Sequence, residues 1–393
     1  MIVGTVRESF PDERRVALTP HVVPLLAKAG CEVLVESGAG SAAGFPDEAY
    51  TGKGARVAAS RSAVFQAAAA ICQVRGYGAN LERGREDLAL FRRGQLLVAT
   101  YEPLTASAAV REIAERGVTL LALEMIPRIT RAQSMDVLSS MSTIAGYKAV
   151  LLAAAHLPKM FPMMMTAAGT ITPARVLVIG AGVAGLQAIA TARRLGGVVQ
   201  AYDPRPAAKE QVSSLGAKFV ELELDSSGAE GQGGYARAMG EEFYRRQREL
   251  MAPIVHAHDV IVCTASVPGK TAPMLITREM LRGMSPGSVI VDLAAERGGN
   301  CEASRAGQTV VEAGVTIVAT LNLAATVPGD ASQLFSRNVA NLLAHLVKNG
   351  KLELDREDEI TRESLVCHDG VVTHPRVLAA LQPEGEPAGQ RGV

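Results

Sequence analysis

The sequence lacks tryptophan altogether, and aromatic residues of all kinds make up only 4% of it. It also lacks net charge, because its 40 Lys and Arg residues are balanced by 40 Asp and Glu residues. A chain without a charge excess has no general attraction to nucleic acid or to an anionic membrane surface. What remains is an apolar chain, with 48% hydrophobic residues over 393 positions, which predicts sizeable cores in two domains.

Cysteine is scarce, and long hydrophobic runs are missing. The five cysteines, at positions 31, 72, 263, 301 and 367, form no CxxC pair, which argues against a disulfide framework or a zinc site. The most tempting apolar run, Ala149–Ala155, is far shorter than the roughly 18 residues that span a bilayer. The N-terminus leads straight into a predicted strand, with no visible targeting segment. We therefore expect a soluble, intracellular chain.

Strand patterns alternate with helix patterns nearly throughout, which predicts an α/β fold with parallel sheets. The expected architecture is two Rossmann-like domains, with a nucleotide-binding domain inserted in the other. The first comprises residues 1–137 completed by 325–393, and the inserted domain comprises residues 138–324. In the inserted domain, strands are predicted at Arg175–Ile179, Val198–Tyr202, Lys218–Glu221, Val260–Thr264, Ser288–Asp292 and Val315–Ala319.

Two polar segments interrupt this alternation. Pro127–Asp136 is predicted as a loop, because it is too charged for a buried element. Asp225–Gly240 is rich in glycine and has little to bury. A final long helix is predicted to start near a capping box at Asp330 and to stop at Gly350.

A glycine-rich turn, Gly180 to Gly185, follows the strand at Val176–Ile179 and opens an apolar helix. Gly180 allows the tight turn, Gly182 lets the backbone approach a pyrophosphate, and Gly185 permits close packing of helix on strand. The positive end of the helix then faces the phosphates. In this complete context the turn predicts a dinucleotide site, and the alternative is a doubly wound domain with a coincidental glycine-rich turn.

The second strand of this domain ends in Asp203, 23 residues after Gly180. A carboxylate there can accept hydrogen bonds from the adenosine ribose hydroxyls and would repel a 2′-phosphate, which favours NAD(H) over NADP(H). Arg205 weakens this preference, because a nearby arginine can pair with a phosphate.

Acid–base machinery for a dehydrogenase is not evident. Oxidation of an alcohol or amine needs a general acid/base beside the nicotinamide. His256 and His258 precede a strand with no third metal ligand in view, so no metal is expected. The richest polar constellation is Arg128, Arg131, Gln133, Asp136, Ser139 and Ser140. From the residues alone, this set is either functional or a solvated loop in which Asp136 or Ser139 caps the next helix.

This block, Pro127–Ser140 continued by Ile144–Tyr147, resembles the signature loop of the NAD(H)-binding component of proton-translocating NAD(P) transhydrogenases, called domain I. The resemblance extends over roughly residues 1 to 380, and Arg128–Ser139 is its most specific part. Further similar stretches are Arg15–Pro20, Phe161–Gly169, Gly234–Phe243, Pro268–Lys270, Pro286–Glu296 and Asp330–Phe335.

The resemblance implies roles for the signature loop. Arg128 and Gln133 are expected to position the nicotinamide half of NAD(H), and Gln133 to reach the NADP(H) nucleotide of a partner. Asp136 and Ser139 are expected to hold the loop and the carboxamide or ribose. Catalysis by Gln133, Arg128 and Asp136 is then a matter of orientation, because hydride passes directly between two nicotinamides about 3 to 3.5 Å apart. The absence of a proton carrier agrees with this chemistry.

Further nucleotide contacts are implied by the same resemblance. Val183 is expected to pack under the pyrophosphate. The glycine-rich segment that contains Gly234, Tyr235 and Met239 resembles the family's mobile loop, which folds over the nucleotide, and the alternative is an ordinary surface loop. Gln247 and Ser266 fall at contact positions, although Ser266 replaces a bulkier apolar residue.

The family couples hydride transfer from NADH to NADP⁺ with proton movement across a membrane. A chain without spanning helices or a second GxGxxG turn would supply only the NAD(H) half-site, as a separately encoded subunit. Partner subunits would hold NADP(H) and span the membrane. The resemblance also implies a homodimer, placed peripherally on the cytoplasmic face of the inner membrane through its partners.

Two alternatives stay open. Alanine dehydrogenase shares this architecture, and Arg15 fits the arginine expected to hold its keto-acid. However, Arg75, Glu102 and Glu296 stand where a lysine, a histidine and an aspartate are expected, which removes the obvious proton carrier. A regulatory NAD(H) sensor without turnover is the other alternative, although a sensor has no need of the signature loop.

Overall fold

Two α/β units make up the chain in the computed structural model, which describes residues 1–224, 228–229, 237, 239–266 and 271–382. The first unit comprises Met1–Met141 and the segment that begins at Ala325, and the second comprises Ser142–Ala324. The second unit thus interrupts the sequence of the first.

The strands of the described chain are short, and several are buried along all or nearly all of their length, as in sheets covered on both faces. In chain order they are β1 (Ile2–Thr5), β2 (Glu32–Glu36), β3 (Arg56–Ala58), β4 (Ala70–Arg75), β5 (Leu96–Thr100), β6 (Thr119–Ala122), β7 (Met164–Thr166), β8 (Gly169–Ile171), β9 (Arg175–Ile179), β10 (Val198–Tyr202), β11 (Lys218–Phe219), β12 (Val260–Cys263), β13 (Val289–Asp292), β14 (Thr309–Glu312), β15 (Val315–Val318), β16 (Val347–Lys348), β17 (Lys351–Leu352), β18 (Leu365–His368) and β19 (Val371–Val372).

The helices that cover the sheets are mostly short, and three of those in the described residues are longer than fifteen residues. In chain order they are α1 (Val23–Lys28), α2 (Asp47–Thr51), α3 (Arg61–Ala67), α4 (Ser107–Ala114), α5 (Val137–His156), α6 (Val183–Arg194), α7 (Ala208–Ser214), α8 (Glu241–His256), α9 (Arg278–Arg282), α10 (Pro328–Leu346), α11 (Glu359–Ser364) and α12 (Pro375–Ala380).

Both sheets are doubly wound. In the first unit the order is β19-β18-β6-β5-β4-β1-β2-β3, and in the second it is β11-β10-β9-β12-β13-β15-β14. Each chain path starts near the centre, runs to one edge and then crosses to the other side of its first strand. The strand order therefore reverses between β1 and β4, and between β9 and β12, the points at which ligands bind in open α/β sheets. The prediction of two Rossmann-like α/β units is confirmed.

The two predicted parallel sheets also carry antiparallel strands at their edges, which the sequence analysis did not predict. β18 and β19 are antiparallel additions to the first sheet, and β14 pairs antiparallel with β15 in the second. Each pair is joined by two residues with positive φ, Asp369-Gly370 and Ala313-Gly314. A two-residue hairpin joins only antiparallel strands, and this backbone conformation is that of a type I′ turn.

A third such turn, Asn349-Gly350, joins β16 to β17. The final helix was predicted to run to Gly350, but α10 ends at Leu346, because the hairpin follows it directly. The same helix begins at Pro328 and not at Asp330, which leaves Asp330 inside the first turn. Proline suits the first helical turn because an N–H group there has no partner within the helix, so no hydrogen bond is lost when proline lacks it.

Helix α5 is the longest helix of the described chain. From the sequence, the short run Ala149–Ala155 predicted no segment long enough to span a membrane. By length and composition alone, however, α5 is long and apolar enough to do so, with a mean hydropathy of 1.4. Its buried residues Ala149, Val150 and Ala153 belong to the core of the second unit, together with residues of β9 and α6. At Gly146, a Cβ would overlap the backbone of Ala184 in α6. These contacts pack one face of α5 into the core of the second unit.

Candidate functional site

The glycine-rich turn lies at the carboxyl end of β9, beside the point where the strand order reverses. Gly180 has a φ of 99°, in the region that favours glycine, and a Cβ there would lie 2.7 Å from Oγ1 of Thr264. A Cβ at Gly185 would overlap the carbonyl oxygen of Gly180 and lie 2.9 Å from its carbon. Gly180 is therefore required by its backbone conformation and by the close approach of Thr264, and Gly185 by the packing of α6 against the end of β9.

Gly182 differs from the other two glycines of the turn. Its side-chain position is open, with no described atom within 4 Å of a Cβ placed there, and its backbone is extended. It is also the N-cap residue of the 12-residue helix α6, whose N-terminus carries a partial positive charge. The open space and the helix terminus together fit an anionic group that approaches the backbone, such as a pyrophosphate.

Asp203 follows β10 and is 5% exposed. Its Oδ2 accepts a hydrogen bond of 2.7 Å from the N–H of Ala181, and therefore holds the glycine turn. The guanidinium of Arg205 forms a bidentate pair with the same carboxylate, from Nε to Oδ1 and from Nη2 to Oδ2, both at 2.8 Å. The N–H of Arg205 also donates to Oδ1.

This arrangement bears on nucleotide choice. Four donors already meet the roughly four acceptor positions of the Asp203 carboxylate. A ribose hydroxyl that binds Asp203 would share the carboxylate with Arg205 or displace its guanidinium. A 2′-phosphate would meet the negative charge of Asp203, and it would have to compete with that charge for Arg205.

Gln247 lies on α8 and is 3% exposed. Its Nε2 donates to the hydroxyl of Tyr202, at 3.0 Å, whereas its Oε1 is buried without a hydrogen-bond partner among the described residues. Burial raises the pKa of Tyr202 to about 12, so its hydroxyl stays protonated. A buried amide oxygen without a partner is costly and suits an acceptor that awaits a ligand N–H or O–H. Tyr202, next to Asp203, was not predicted from the sequence.

Ser266 is exposed in the segment after β12, at the same edge of the sheet. The preceding residue is held from both sides by Asn300, whose Nδ2 donates to the carbonyl of Ala265 at 2.9 Å and whose Oδ1 accepts from its N–H at 3.1 Å. Thr264 donates to the carbonyl of Gly180 at 2.8 Å. Thr264 and Asn300 were not predicted, and the only sequence signal for Asn300 is the pair of glycines before it.

Three further nucleotide contacts were predicted in this unit, and the structure describes one of them. Val183 is the first residue of α6 and is half-buried. Gly234 and Tyr235 lie outside the described residues.

The signature loop belongs to the first unit. The stretch that was predicted as an unburied loop contains a 3₁₀ turn, Thr130–Met135, in which Ala132 and Met135 are buried in the apolar core. Gln133 and Ser134 between them are exposed, as is Arg128 before the turn. The short 3₁₀ turn therefore anchors the backbone by apolar side chains and presents its polar side chains to the surface.

Asp136 links this turn to α5. Its Oδ1 accepts from the N–H of Ser139 at 2.9 Å, and its Oδ2 accepts from the hydroxyl of Ser139 at 2.5 Å. This is the geometry of a helix N-cap, which satisfies an otherwise unpaired amide of the first turn. Asp136 and Ser139 thus stiffen the junction between loop and helix.

Arg15, the residue that would hold the keto-acid of an alanine dehydrogenase, is already paired with a carboxylate of this chain. Arg15 is 6% exposed and forms a bidentate pair with Glu13, with Nε–Oε1 at 2.7 Å and Nη2–Oε2 at 2.6 Å. Arg75 lies 3.6 Å from the same carboxylate, and its guanidinium stacks 4.3 Å from the centre of the Phe10 ring. A keto-acid carboxylate would have to compete with Glu13 for both cations.

The other two positions of that alternative also have structural partners. The carboxylate of Glu296 accepts from the N–H of Asn322 at 2.6 Å. Glu102 has a φ of 50°, and its N–H donates to Glu124. Burial raises the pKa of Glu124 to about 7.

Glu8, which follows β1, is a buried carboxyl group whose pKa is strongly raised. It accepts from the N–H groups of Val74 and Arg75, at 2.6 and 3.2 Å. Burial, reinforced by the neighbouring charge of Glu13, raises the pKa of Glu8 to about 8. At neutral pH the carboxyl group of Glu8 is therefore mostly protonated.

The doubly wound sheet, the glycine turn at its reversal point and the acid after the second strand define the Rossmann class of dinucleotide folds. Residues 4–145 match the family described as "Alanine dehydrogenase/PNT, N-terminal domain", and residues 149–375 match "Alanine dehydrogenase/PNT, C-terminal domain". The chain belongs to this family, among the alpha subunits of NAD(P) transhydrogenase, and is thus a component of an oxidoreductase.

Similarity to individual proteins separates the two branches of the family. The chain is 47% identical to an NAD(P) transhydrogenase alpha-subunit chain of Rhodospirillum rubrum, over 95% of this chain and 98% of that one. A crystal structure of transhydrogenase from Sinorhizobium meliloti is 44% identical and matches with a TM-score of 0.85, covering 95% of this chain and all of that one. Alanine dehydrogenase of Bacillus subtilis is 28% identical, over 99% of this chain and 97% of that one.

Proposed function

We propose that the chain binds NAD(H) at the turn Gly180–Gly185 and passes hydride between NADH and NADP⁺ held by a partner subunit. The observation that carries NAD(H) binding is the contrast within the turn. Two glycines are needed for the protein's own packing, whereas Gly182 leaves open space at a helix N-terminus. When bound, NADH supplies the hydride, and the residues of this chain supply binding and orientation.

In this proposal each unit contributes a different part. In the second unit the turn holds the pyrophosphate, Asp203 with Arg205 receives the adenosine ribose, and Gln247 and Ser266 add contacts. Gly234 and Tyr235 are proposed to contact the nucleotide as well. The geometry at Asp203 supports NAD(H) over NADP(H), because a 2′-phosphate would meet a carboxylate.

In the first unit, Gln133 and Arg128 are proposed to orient the nicotinamide, and Asp136 with Ser139 to hold the loop that carries them. Support comes from the exposure of Gln133 and Arg128 on a turn whose backbone is anchored by buried Ala132 and Met135. Fixed orientation is what direct hydride transfer requires, because the two rings must meet at about 3 to 3.5 Å.

The relatives are named as subunits, which supports the existence of partner chains. We propose that these partners bind NADP(H) and span the membrane, and that they hold this chain peripherally at the cytoplasmic face of the inner membrane. A homodimer is also proposed. Its support is the hairpin β7–β8, which stands apart from both main sheets and exposes Met165 and Ile171, by 74 and 41%. Met163, directly before β7, is exposed by 60%. An isolated two-stranded hairpin is marginally stable in water, so a covering surface from a second copy would stabilise it.

The decisive experiment measures NADH oxidation by the purified chain in two mixtures. The first contains an NADP(H)-binding transhydrogenase component with NADP⁺ or an analogue, and the second contains pyruvate and ammonia without that component. We expect turnover only in the first. Turnover only in the second would show alanine dehydrogenase activity, and tight NADH binding without turnover in either would favour a sensor.

Gln133→Asn provides a matched variant for the same assay. It keeps the amide and shortens the side chain by one methylene, so NADH affinity should be retained while hydride transfer falls sharply. A loss of NADH binding with normal transfer at saturation would contradict the orienting role.

A further inference from the structure

We infer that Asn338 and Asn341 are positioning residues, which hold the loop that carries Gln133 in the geometry required for hydride transfer. Both side-chain amides donate to one acceptor, the carbonyl oxygen of Ser134, at 2.8 Å from Asn338 and 3.0 Å from Asn341. Ser134 directly follows Gln133, so these bonds fix the backbone on one side of the orienting residue. This inference rests on the function proposed above.

The same helix holds the other side of the turn. Asn338, Asn341 and His345 follow one another at spacings of three and four residues, which places them on one face of α10. Nε2 of His345 lies 3.0 Å from Oδ2 of Asp358, whose Oδ1 accepts from Arg131 at 2.9 Å. The turn is therefore tied at residues 131 and 134, on either side of Gln133.

Apolar packing alone would attach the turn without orienting it. Ala132 and Met135 already place it in the core with Phe335 and Val339 of α10. Asn338 is 6% exposed, and its Oδ1 is buried without a hydrogen-bond partner in the described part of the chain. A half-satisfied buried amide costs stability that an apolar side chain of similar size would not. What Asn338 contributes in return is the direction of the Ser134 carbonyl.

The test uses Asn338→Leu, Asn341→Ala and the double variant. Each single variant leaves the Ser134 carbonyl one of its two donors, and the double variant removes both. The matched control is Gln333→Ala with Arg337→Ala, two exposed positions on α10. Asp358 is left intact, because it also caps α11 through the N–H groups of residues 360 and 361.

Four quantities are measured on the full chain. These are single-turnover hydride transfer from NADH in the assembled enzyme, NADH affinity, the urea midpoint, and hydrogen–deuterium exchange of the amides of residues 130–136 without nucleotide. We expect transfer to fall less than about 3-fold in each single variant. In the double variant it should fall roughly 10- to 100-fold, because a displacement of about 1 Å can cost 100-fold.

The accompanying readouts separate positioning from a structural role. NADH affinity should be unchanged, exchange of the loop amides should rise only in the double variant, and Asn338→Leu should leave the urea midpoint unchanged or raised. Additive losses in the single variants, an equal loss in the control, or unchanged loop exchange in the double variant would overturn the inference. Absence of transfer in the wild-type chain would instead refute the proposed function, while loop exchange still reports on the positioning.

Discussion

Replacement of Gly182 by alanine should separate nucleotide binding from folding. The backbone of Gly182 has φ −77° and ψ −168°, which alanine adopts readily, and a Cβ there meets no described atom within 4 Å. The free energy of unfolding should therefore change by no more than about 1 kcal/mol. The methyl group would instead occupy the space through which phosphate oxygens must approach the backbone N–H groups.

The expected loss of affinity follows from hydrogen-bond geometry. A phosphate oxygen bonds an amide nitrogen at about 2.9 Å, and a methyl carbon beside that amide would keep it away. Loss of one charge-assisted hydrogen bond costs about 1.5–3 kcal/mol, so the Kd for NADH should rise roughly 10- to 100-fold. The assay is titration of NADH fluorescence, which no tryptophan emission obscures because the chain contains none.

Gly185→Ala is the matched comparison. A Cβ there overlaps the backbone of Gly180, so α6 must shift away from β9, at a cost of roughly 1–3 kcal/mol in the free energy of unfolding. In urea unfolding followed by far-UV circular dichroism, the midpoint should therefore be lower for Gly185→Ala and nearly unchanged for Gly182→Ala. If Gly182→Ala bound NADH with wild-type affinity, the assignment of this turn as the pyrophosphate site would be refuted.

Three further predictions concern other parts of the chain. Asp203→Ala should weaken NADH binding by roughly 1–3 kcal/mol through the lost carboxylate, and unchanged affinity would show that another acid binds the ribose. Because the pKa of Glu8 is raised to about 8 in the folded chain, the folded state binds its proton more tightly than the unfolded state. The contribution of Glu8 to stability is complete below pH about 4.5 and is lost as the pH rises through 8. Its share of the free energy of unfolding should fall by roughly 3 kcal/mol between pH 5 and pH 8, beside a smaller fall from Glu124, whose pKa burial raises to about 7. Glu8→Gln should flatten this dependence in urea titrations, and an unaltered slope would contradict it. Met165→Asp should convert the dimer into monomers in sedimentation experiments, and a persistent dimer would place the interface elsewhere.

Local patterns predicted the fold well where one element is specified by its own residues. The strands Arg175–Ile179 and Val198–Tyr202 have the predicted bounds, because buried apolar runs between turn residues are a local signal. The glycine-rich turn was also readable, since each glycine answers a local steric demand. The dipeptides Asn349-Gly350 and Asp369-Gly370 are an equally local signal, because such pairs favour two-residue hairpins.

The geometry around the candidate site depended on the tertiary structure. Asp203 reaches the N–H of Ala181, and Asn338 reaches the carbonyl of Ser134 across 204 positions of sequence. Such contacts arise from the order in which strands and helices pack, which periodicity does not encode. Burial decided the rest, because the pKa of Glu8 depends on how many atoms exclude water from it.

The sequence by itself determined the α/β class, the two Rossmann-like units and the turn at Gly180–Gly185, since these follow from residue size, polarity and backbone freedom. Only the tertiary structure decided the pairing of β18 with β6, the bond from the N–H of Ala181 to Asp203 and the hold of α10 on the loop around Gln133. The physical reason is that local sterics act between neighbours along the chain. Hydrogen bonds and desolvation act between whichever groups the fold brings together.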